Sequence, residues 1–139
     1  MTEMPPDVKA YNLKLIEEFR ANGGPPEGRP LLLLTTVGRR TGQARTTPMM
    51  YVPDGDRLLV IASNAGAVKH PDWFNNLVAN PDVTVEVGSE SYPATAVVTE
   101  GAERDRLFAG ICERYPFFVE HQAGVERTIP VVALVRKDS

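Results

Sequence analysis

Short apolar runs separated by turn residues dominate the hydrophobic pattern of the chain. Leu31–Val37 (LLLLTTV) lies between Pro30 and Gly38 and ends in three β-branched residues, so it predicts a strand rather than the start of a helix. Arg45–Val52 predicts the partner strand, and Gly38 and Gly42 bracket the basic turn between them. The first predicted unit is therefore a β-hairpin with a basic tip.

Four more strands are predicted after this hairpin. They are Arg57–Ser63, Val83–Val87, Tyr92–Thr99 and Val131–Val135. Pro53–Asp56 predicts a turn, and Pro93 predicts an edge strand or a bulge because proline cannot donate a hydrogen bond to a sheet. About six strands in hairpin-like succession favour a small antiparallel barrel over alternating βαβ units.

A helical pattern precedes the strands. Asp7 predicts the N-cap of a helix whose apolar stripe includes Phe19 and which ends at Gly23. This helix would either pack on the body or lie against a membrane surface, and its mixed polar face, which includes Arg20, favours packing. Gly24–Pro30 predicts a linker that cannot be helical.

Two further helices are predicted between the later strands. Pro71 predicts the first position of a two-turn helix, and Glu100–Tyr115 has one apolar and one charged face. We therefore expect a single domain, 1–139, that is mainly β with peripheral helices. Residues 1–30 would form the N-terminal helix and linker, and residues 31–139 the barrel with its inserted helices.

Composition narrows the class of protein. At 139 residues the chain is long enough for one domain, and its net charge of −3 gives no general attraction for nucleic acid. The single cysteine, Cys112, fits a reducing compartment and predicts a small core residue without an activated thiol. No apolar stretch approaches the roughly 20 residues of a membrane span, and no signal peptide is apparent. We expect a cytoplasmic domain.

The common catalytic motifs are absent from the sequence. The two histidines, His70 and His121, belong to no HExxH or other metal-ligand spacing, so no metal site is predicted. No GxSxG, Walker or GxGxxG motif appears. His70, before Pro71, predicts a surface residue rather than a catalytic one. This pattern favours a chain that relies on the chemistry of a bound cofactor.

The basic hairpin tip is the strongest candidate for ligand binding. A solvated turn would explain Arg39 and Arg40 alone, but Arg45 returns to the same tip on the partner strand. Because guanidinium forks match phosphate and carboxylate geometry, an anionic ligand is at least as good an explanation. Met49 and Met50 would either contact a flat ligand or fill the core, and strand alternation allows only one of them on a given side.

Three segments resemble the deazaflavin-dependent nitroreductase family of actinobacteria. They are TTVGRRTGQARTTPMMYVPDGDRLLVIAS, AGAVKHPDWFNNLVANPDVTVEV and YPFFVEHQAGVERTIPVVAL. The similarity covers about Pro30–Val135 in one continuous order. It implies a split β-barrel similar to the pyridoxamine-phosphate oxidase barrels. It also implies binding of reduced coenzyme F-420, an 8-hydroxy-5-deazaflavin with a phosphate and an oligoglutamate tail.

The resemblance places the cofactor-binding residues in four segments. The phosphate and the anionic tail would be held by Arg39, Arg40, Thr41 and Arg45. The deazaflavin ring would lie beside Thr46, Thr47, Pro48, Met49 and Met50. The opposite wall would be formed by Ile61, Ala62, Ser63 and Asn64. The tail would be covered by Asp72, Trp73, Phe74, Asn75 and Asn76.

The resemblance also implies hydride transfer to a small acceptor, with a quinone favoured over a nitroaromatic. Members active on nitroimidazoles carry tyrosines at positions matched here by Met50, Phe118 and His121, whereas Tyr115 is retained. The predicted catalytic residues are Ser63, near the reacting carbon, Tyr115 and His121. His121 would supply a proton or be a partly exposed helix residue, two readings of equal weight.

Other functions stay open at the level of sequence. The rival is a non-catalytic barrel that binds F-420 or a fatty acid, and FMN or haem in the same barrel is a third possibility. The chain would be a monomer or a homodimer.

Overall fold

The computed structural model describes residues 8–24 and 30–137. Its helices are α1 (Val8–Asn22), α2 (Asp72–Ala79), α3 (Gly101–Arg114) and α4 (Phe117–Ala123). Its strands are β1 (Leu31–Val37), β2 (Ala44–Met50), β3 (Val52–Asp54), β4 (Arg57–Ile61), β5 (Asp82–Val87), β6 (Glu90–Val98) and β7 (Val131–Arg136). Within these residues a 3-10 turn covers Asn64–Gly66. The predicted cap Asp7 and linker residues 25–29 lie outside the described residues.

All seven strands join one antiparallel sheet in the order β2-β1-β5-β6-β7-β4-β3. The prediction of about six strands was one short, because the run Arg45–Val52 breaks at Tyr51. The Tyr51 amide still donates to the Pro30 carbonyl (3.0 Å), but Val52 pairs with Leu59 on β4 instead. Part of the predicted turn is therefore the short edge strand β3.

The two edge strands of the sheet are neighbours in the sequence. β2 and β3 stand at opposite ends of the strand order, yet only Tyr51 separates them along the chain. The sheet must therefore curl until its two edges approach each other, because one residue spans at most about 3.5 Å. The result is a half-barrel, and the predicted mainly β, barrel-like fold is confirmed.

Alternation along β1 sends successive leucines to opposite faces of the sheet. Leu32 and Leu34 enter the barrel core, which α2 closes from one side with Phe74 and Leu77. Leu33 faces the other way. The barrel core is completed by Val60, Ala62, Val83, Val85, Ala94, Ala96, Val132 and Leu134.

Helix α1 packs on the outer face of β1. Its Ile16 and Phe19 are buried against Leu33, so the predicted packing on the body is confirmed. The helix ends as predicted at Gly23, whose φ of +67° suits glycine. Among the described residues, no helix combines the length and apolar character needed to cross a bilayer.

Helices α3 and α4 cover a second core on the sheet's outer face. Leu107, Phe108, Ile111 and Phe118 pack there against strands β4 and β7. Cys112 is half-buried beside this core, and burial raises the pKa of its thiol. Cys112 thus lies at the margin of the core rather than within it, and its raised pKa fits the prediction of an unactivated thiol.

Two local predictions were wrong. Pro93 lies in β6, an interior strand rather than an edge. The Pro93 carbonyl accepts from the amide of Lys137, one residue beyond the end of β7. Proline lacks an N–H, and at Pro93 this donor is missing at a point where β7 has already ended. Pro71 is the N-cap of α2 and not its first residue.

Candidate active site

A cleft of about 620 Å³ lies between the β1–β2 hairpin tip, α1 and α2. We call it the arginine cleft, because Arg20, Arg39, Arg40 and Arg45 all line it. Its other walls include residues predicted for cofactor binding, namely Thr41, Thr46, Thr47, Asp72, Trp73 and Asn76. The structure thus brings together the predicted basic tip and the start of the predicted covering helix.

The hairpin tip is a tightly built turn. The Gly38 amide donates to the Gln43 carbonyl and the Gly42 amide to the Gly38 carbonyl, each at 2.8 Å. A Cβ on Gly38 would lie 3.0 Å from Thr41 Oγ1, and Gly42 has a φ of +72°. Both glycines are therefore required by the turn, which projects the arginines between them into the cleft.

Asn76 ties the hairpin tip to α2. Its Oδ1 accepts from both the backbone amide and Nη1 of Arg39, each at 3.2 Å, and its Nδ2 donates to Thr36 Oγ1 at 3.4 Å. Asn76 is only 5% exposed, its bond to Thr36 is buried, and its two bonds to Arg39 are partly buried. Arg39 Nη1 also lies 3.9 Å from Asp72 Oδ1, but the Asp72 side chain is largely exposed. Arg39 is therefore held mainly by a neutral amide.

The cleft carries an excess of positive charge. Arg20 was expected on a solvated helix face, but it lines the cleft and forms a bidentate pair with Glu86 at 3.0 and 2.8 Å. Arg40 and Arg45 make no ion pair or side-chain hydrogen bond within residues 8–24 and 30–137. Their charges are available to an incoming anion.

A second group of predicted residues surrounds a serine–histidine pair. His121 Nδ1 on α4 lies 3.3 Å from Ser63 Oγ, which follows β4. The His121 ring stands edge-on to Phe118, with ring centroids 5.7 Å apart. Gly66 packs beside the His121 ring, where a Cβ would make ordinary contact at 3.5 Å, and its φ of +81° is what favours glycine. The pair can pass a proton along one hydrogen bond.

Apolar side chains complete this second group. Phe118 is buried in the outer core, and Met50, Ile61 and Tyr115 pack against the same core. Met49 instead packs against the barrel core, which confirms that the two methionines face opposite sides.

The remaining predicted residues line neither group directly. Ala62 and Phe74 are buried in the barrel core, Pro48 and Asn75 are half-buried, and Asn64 is exposed and donates to the Lys69 carbonyl at 3.1 Å. The predicted site therefore divides into the arginine cleft and the Ser63–His121 group, and the cleft walls do not reach Ser63. The roles of these residues stay predictions.

Strand β2 connects the two parts. Arg45 at its start lines the cleft, and Met50 at its end packs beside the second group. They are five residue steps apart along the strand, or about 17 Å at 3.4 Å per residue. This distance is within the length of an elongated ligand, although side chains five positions apart point to opposite faces of a strand.

Sequence reasoning missed a partly buried arginine beneath the second group. Arg127 donates to the carbonyls of Ser63 (2.7 Å), Ala62 (3.1 Å) and Ala67 (3.1 Å), and its Nη1 lies 3.0 Å from His70 Nδ1. Burial lowers the pKa of Arg127. The RTIPV segment contained this residue, but its partners are about 60 positions away and no local pattern points to them.

His70 is not the free surface residue that the sequence predicted. Its ring is half-buried and lies 4.6 Å from the ring of Phe74, between centroids. Burial and, to a smaller extent, the charge of Arg127 lower the pKa of His70. His70 is therefore favoured as the neutral imidazole.

Comparison with known proteins assigns the chain to a family. The sequence model of the F420H(2)-dependent quinone reductases matches residues 11–136, nearly the whole chain. The chain belongs to this family. The F420H(2)-dependent quinone reductase Rv1261c of Mycobacterium tuberculosis is 39% identical over 115 residues, which cover 81% of this chain and 77% of the relative.

Solved structures agree with this assignment. An F420-H2-dependent reductase, FDR-A, superposes with a TM-score of 0.70 at 38% identity, covering 76% of this chain and 94% of its own. A Listeria innocua protein named after pyridoxamine 5′-phosphate oxidase is only 16% identical, with a TM-score of 0.56 and 95% of each chain covered, and it shows the fold alone. The predicted oxidase-like barrel and the predicted cofactor, coenzyme F-420, are thereby confirmed for this F-420-dependent oxidoreductase.

The residues of the cleft fit that cofactor. F-420 carries a phosphate and a carboxylate-rich tail, and the cleft offers Arg40 and Arg45 without carboxylate partners in the described part of the chain. The hydroxyls of Thr41, Thr46 and Thr47 line the same walls and can bind phosphate oxygens. The far end of β2 is apolar, as a flat ring requires.

Proposed function

We propose that this reductase transfers a hydride from reduced F-420 to a small quinone held beside the Ser63–His121 pair. The observation that carries the proposal is the arginine cleft, with uncompensated guanidinium groups at one end of β2 and the serine–histidine pair near the other. The family assignment supports the same donor and the same acceptor class.

The cleft residues would hold the anionic end of the cofactor. Arg40 and Arg45 would bind its phosphate and tail, and Arg39 would be kept in place by Asn76. Trp73, half-buried at the mouth of the cleft, would cover the tail against water. Bound in this way, the reduced cofactor supplies a hydride, which no side chain of the protein can donate.

The second group would complete the reaction. A quinone that gains a hydride also needs one proton to become the hydroquinone. His121 would donate that proton, either directly or through the Ser63 hydroxyl at 3.3 Å, and then take another from solvent on the exposed side of α4. Met50, Phe118 and Tyr115 would exclude water around the acceptor.

Turnover with defined reactants tests the proposal. The purified protein is mixed with reduced F-420 and menadione, and reappearance of the oxidised deazaflavin absorbance is followed in time. We expect one menadione reduced per cofactor oxidised. Tight cofactor binding without menadione reduction would contradict the reductase and leave a binding protein.

His121→Gln tests the proton donor. General acid catalysis is typically worth about 100- to 10,000-fold, so we expect kcat to fall at least about 100-fold while the Kd for F-420 stays unchanged. Glu120→Gln, on the exposed surface of the same helix, is the control and should leave both quantities unaltered. Equal kcat values for the two variants would remove His121 from the mechanism.

Two further statements belong to this proposal. We place the protein in the cytoplasm, which cell fractionation tests. Nitroaromatic reduction should be weak, because Met50, Phe118 and His121 provide no tyrosine hydroxyl to a nitro group. Comparing nitroimidazole with menadione under the same conditions measures the difference.

A further inference from the structure

The segment that carries Ser63 is folded around the guanidinium of Arg127. All four of the Arg127 contacts fall within residues 62–70: the carbonyls of Ala62, Ser63 and Ala67, and His70 Nδ1. Asn64 and Gly66 within this loop have φ of +52° and +81°. Apart from the 3-10 turn Asn64–Gly66, this loop is irregular, and Arg127 is a hydrogen-bond donor common to both of its ends.

The same arginine is anchored on the opposite side of the pair. Gln122, next to His121 on α4, donates from Nε2 to the Arg127 carbonyl at 2.8 Å and accepts from the Ile129 amide at 2.9 Å. Arg104 on α3 donates to the Gln122 amide oxygen (2.9 Å) and to the Ile129 carbonyl (2.8 Å). The segment around Arg127 thus holds Ser63 through its side chain and the His121 helix through its backbone.

The chemistry of the site demands an arginine. Within the described ranges Arg127 has no carboxylate partner, and its protein contacts are three carbonyl oxygens and one imidazole nitrogen. A planar fork with five N–H donors reaches several carbonyls at once, whereas a lysine ammonium has three donors at a single point. His70 fits as the fourth acceptor only when Nδ1 carries no proton.

We propose that Arg127, with neutral His70, is a positioning residue that fixes the Ser63–His121 contact for proton delivery to the acceptor. Arg127 reaches neither the cleft nor the acceptor residues, and it acts through the Ser63 carbonyl and the backbone next to His121. The inference rests on the function proposed above and adds a residue to it.

Variants of Arg127 test the proposal with two kinds of measurement. Arg127→Lys keeps the charge but loses the fork, and Arg127→Met loses both. We expect kcat for menadione to fall at least about tenfold in each, and by a larger factor than the Kd for F-420 rises, because the anionic end of the cofactor is held in the cleft, which Arg127 does not line. Arg136→Met is the control, since Arg136 lies at the far end of β7, paired with Glu90.

Magnetic resonance and hydrogen exchange give readouts that do not need turnover. The chain has only two histidines, so a His70→Asn variant assigns both imidazole signals. In the wild type His70 should carry its proton on Nε2, and in Arg127→Lys this tautomer preference should weaken and the His121 signals should shift. Amides of residues 62–70 should exchange at least about tenfold faster in Arg127→Lys and not in Arg136→Met.

The outcomes separate this inference from the proposed function. Unchanged histidine signals, unchanged loop exchange or an unchanged kcat in Arg127→Lys would overturn the positioning role. If the wild type fails to reduce menadione, the proposed function fails, while the histidine signals and exchange still decide whether Arg127 sets the Ser63–His121 contact. If Arg127→Met does not fold, the lysine variant carries the test.

Discussion

Replacing Arg45 by methionine removes one charge from the arginine cleft and keeps most of the side-chain volume. Arg45 is exposed and makes no ion pair within the described residues, so its loss should barely alter folding. Arg20, in the same cleft, is already paired with Glu86. We therefore expect Arg45→Met to weaken F-420 binding much more than Arg20→Met does.

The magnitude follows from the surroundings of Arg45. Two unit charges 4 Å apart attract by about 1 kcal/mol in water and about 4 kcal/mol near a protein surface. Hydrogen bonds to charged groups contribute about 1.5–3 kcal/mol in measured series. Because Arg45 lies at an exposed cleft wall, we use the range of about 1.5–3 kcal/mol for its loss. The Kd for F-420 should therefore rise about 10- to 100-fold.

Calorimetric titration of each variant with F-420 measures the effect. Arg106→Met is the matched control, since Arg106 is exposed on α3, away from the cleft. The difference should shrink when salt is raised from about 0.1 M to about 1 M, because the screening length falls from about 10 Å to about 3 Å. Equal Kd values for Arg45→Met and Arg106→Met, or no dependence on salt, would refute the placement of the anion in this cleft.

Three stability predictions follow from the same structure and are measured by thermal or urea unfolding. Gly38→Ala should lower the free energy of unfolding by about 1–3 kcal/mol, because its Cβ would lie 3.0 Å from Thr41 Oγ1. Gly110→Ala should raise the free energy of unfolding by up to about 1 kcal/mol, because Gly110 is helical and has open space around it. Asn76→Leu should lower the free energy of unfolding by about 1–3 kcal/mol, because the Arg39 amide loses its acceptor and the buried Thr36 hydroxyl loses its donor. The lowered pKa of His70 means that below about pH 6.5 the unfolded chain binds a proton that the folded chain resists. Stability should therefore fall as pH drops below that value, and His70→Asn should reduce this loss; equal pH profiles would contradict it.

Local patterns predicted the parts of the fold that depend on local chemistry. Strand alternation predicted that Met49 and Met50 face different sides, and they pack against different cores. The GRRTG sequence predicted a basic turn, because glycine geometry is decided within a few residues. The cofactor was predicted from the family resemblance, because the hydrophobic pattern of a sequence does not specify a cofactor.

Contacts between distant residues were beyond the reach of such patterns. The Arg20–Glu86 pair joins positions 66 apart and turned an expected surface arginine into a compensated cleft residue. Arg127 and its carbonyl acceptors are similarly distant in the sequence. Every residue has a backbone carbonyl, so the sequence does not show which carbonyls accept a hydrogen bond. The break at Tyr51 was missed because a strand that changes partner keeps the same residue types as one that continues.

The one-residue link between β2 and β3 also limits how the protein can move. A sheet with free margins can splay, but here Tyr51 tethers one margin to the other. The strands behind the arginine cleft therefore form a frame of nearly constant circumference. Any widening that admits a long cofactor has to come from displacement of α1 and α2, whose residues make up the opposing wall.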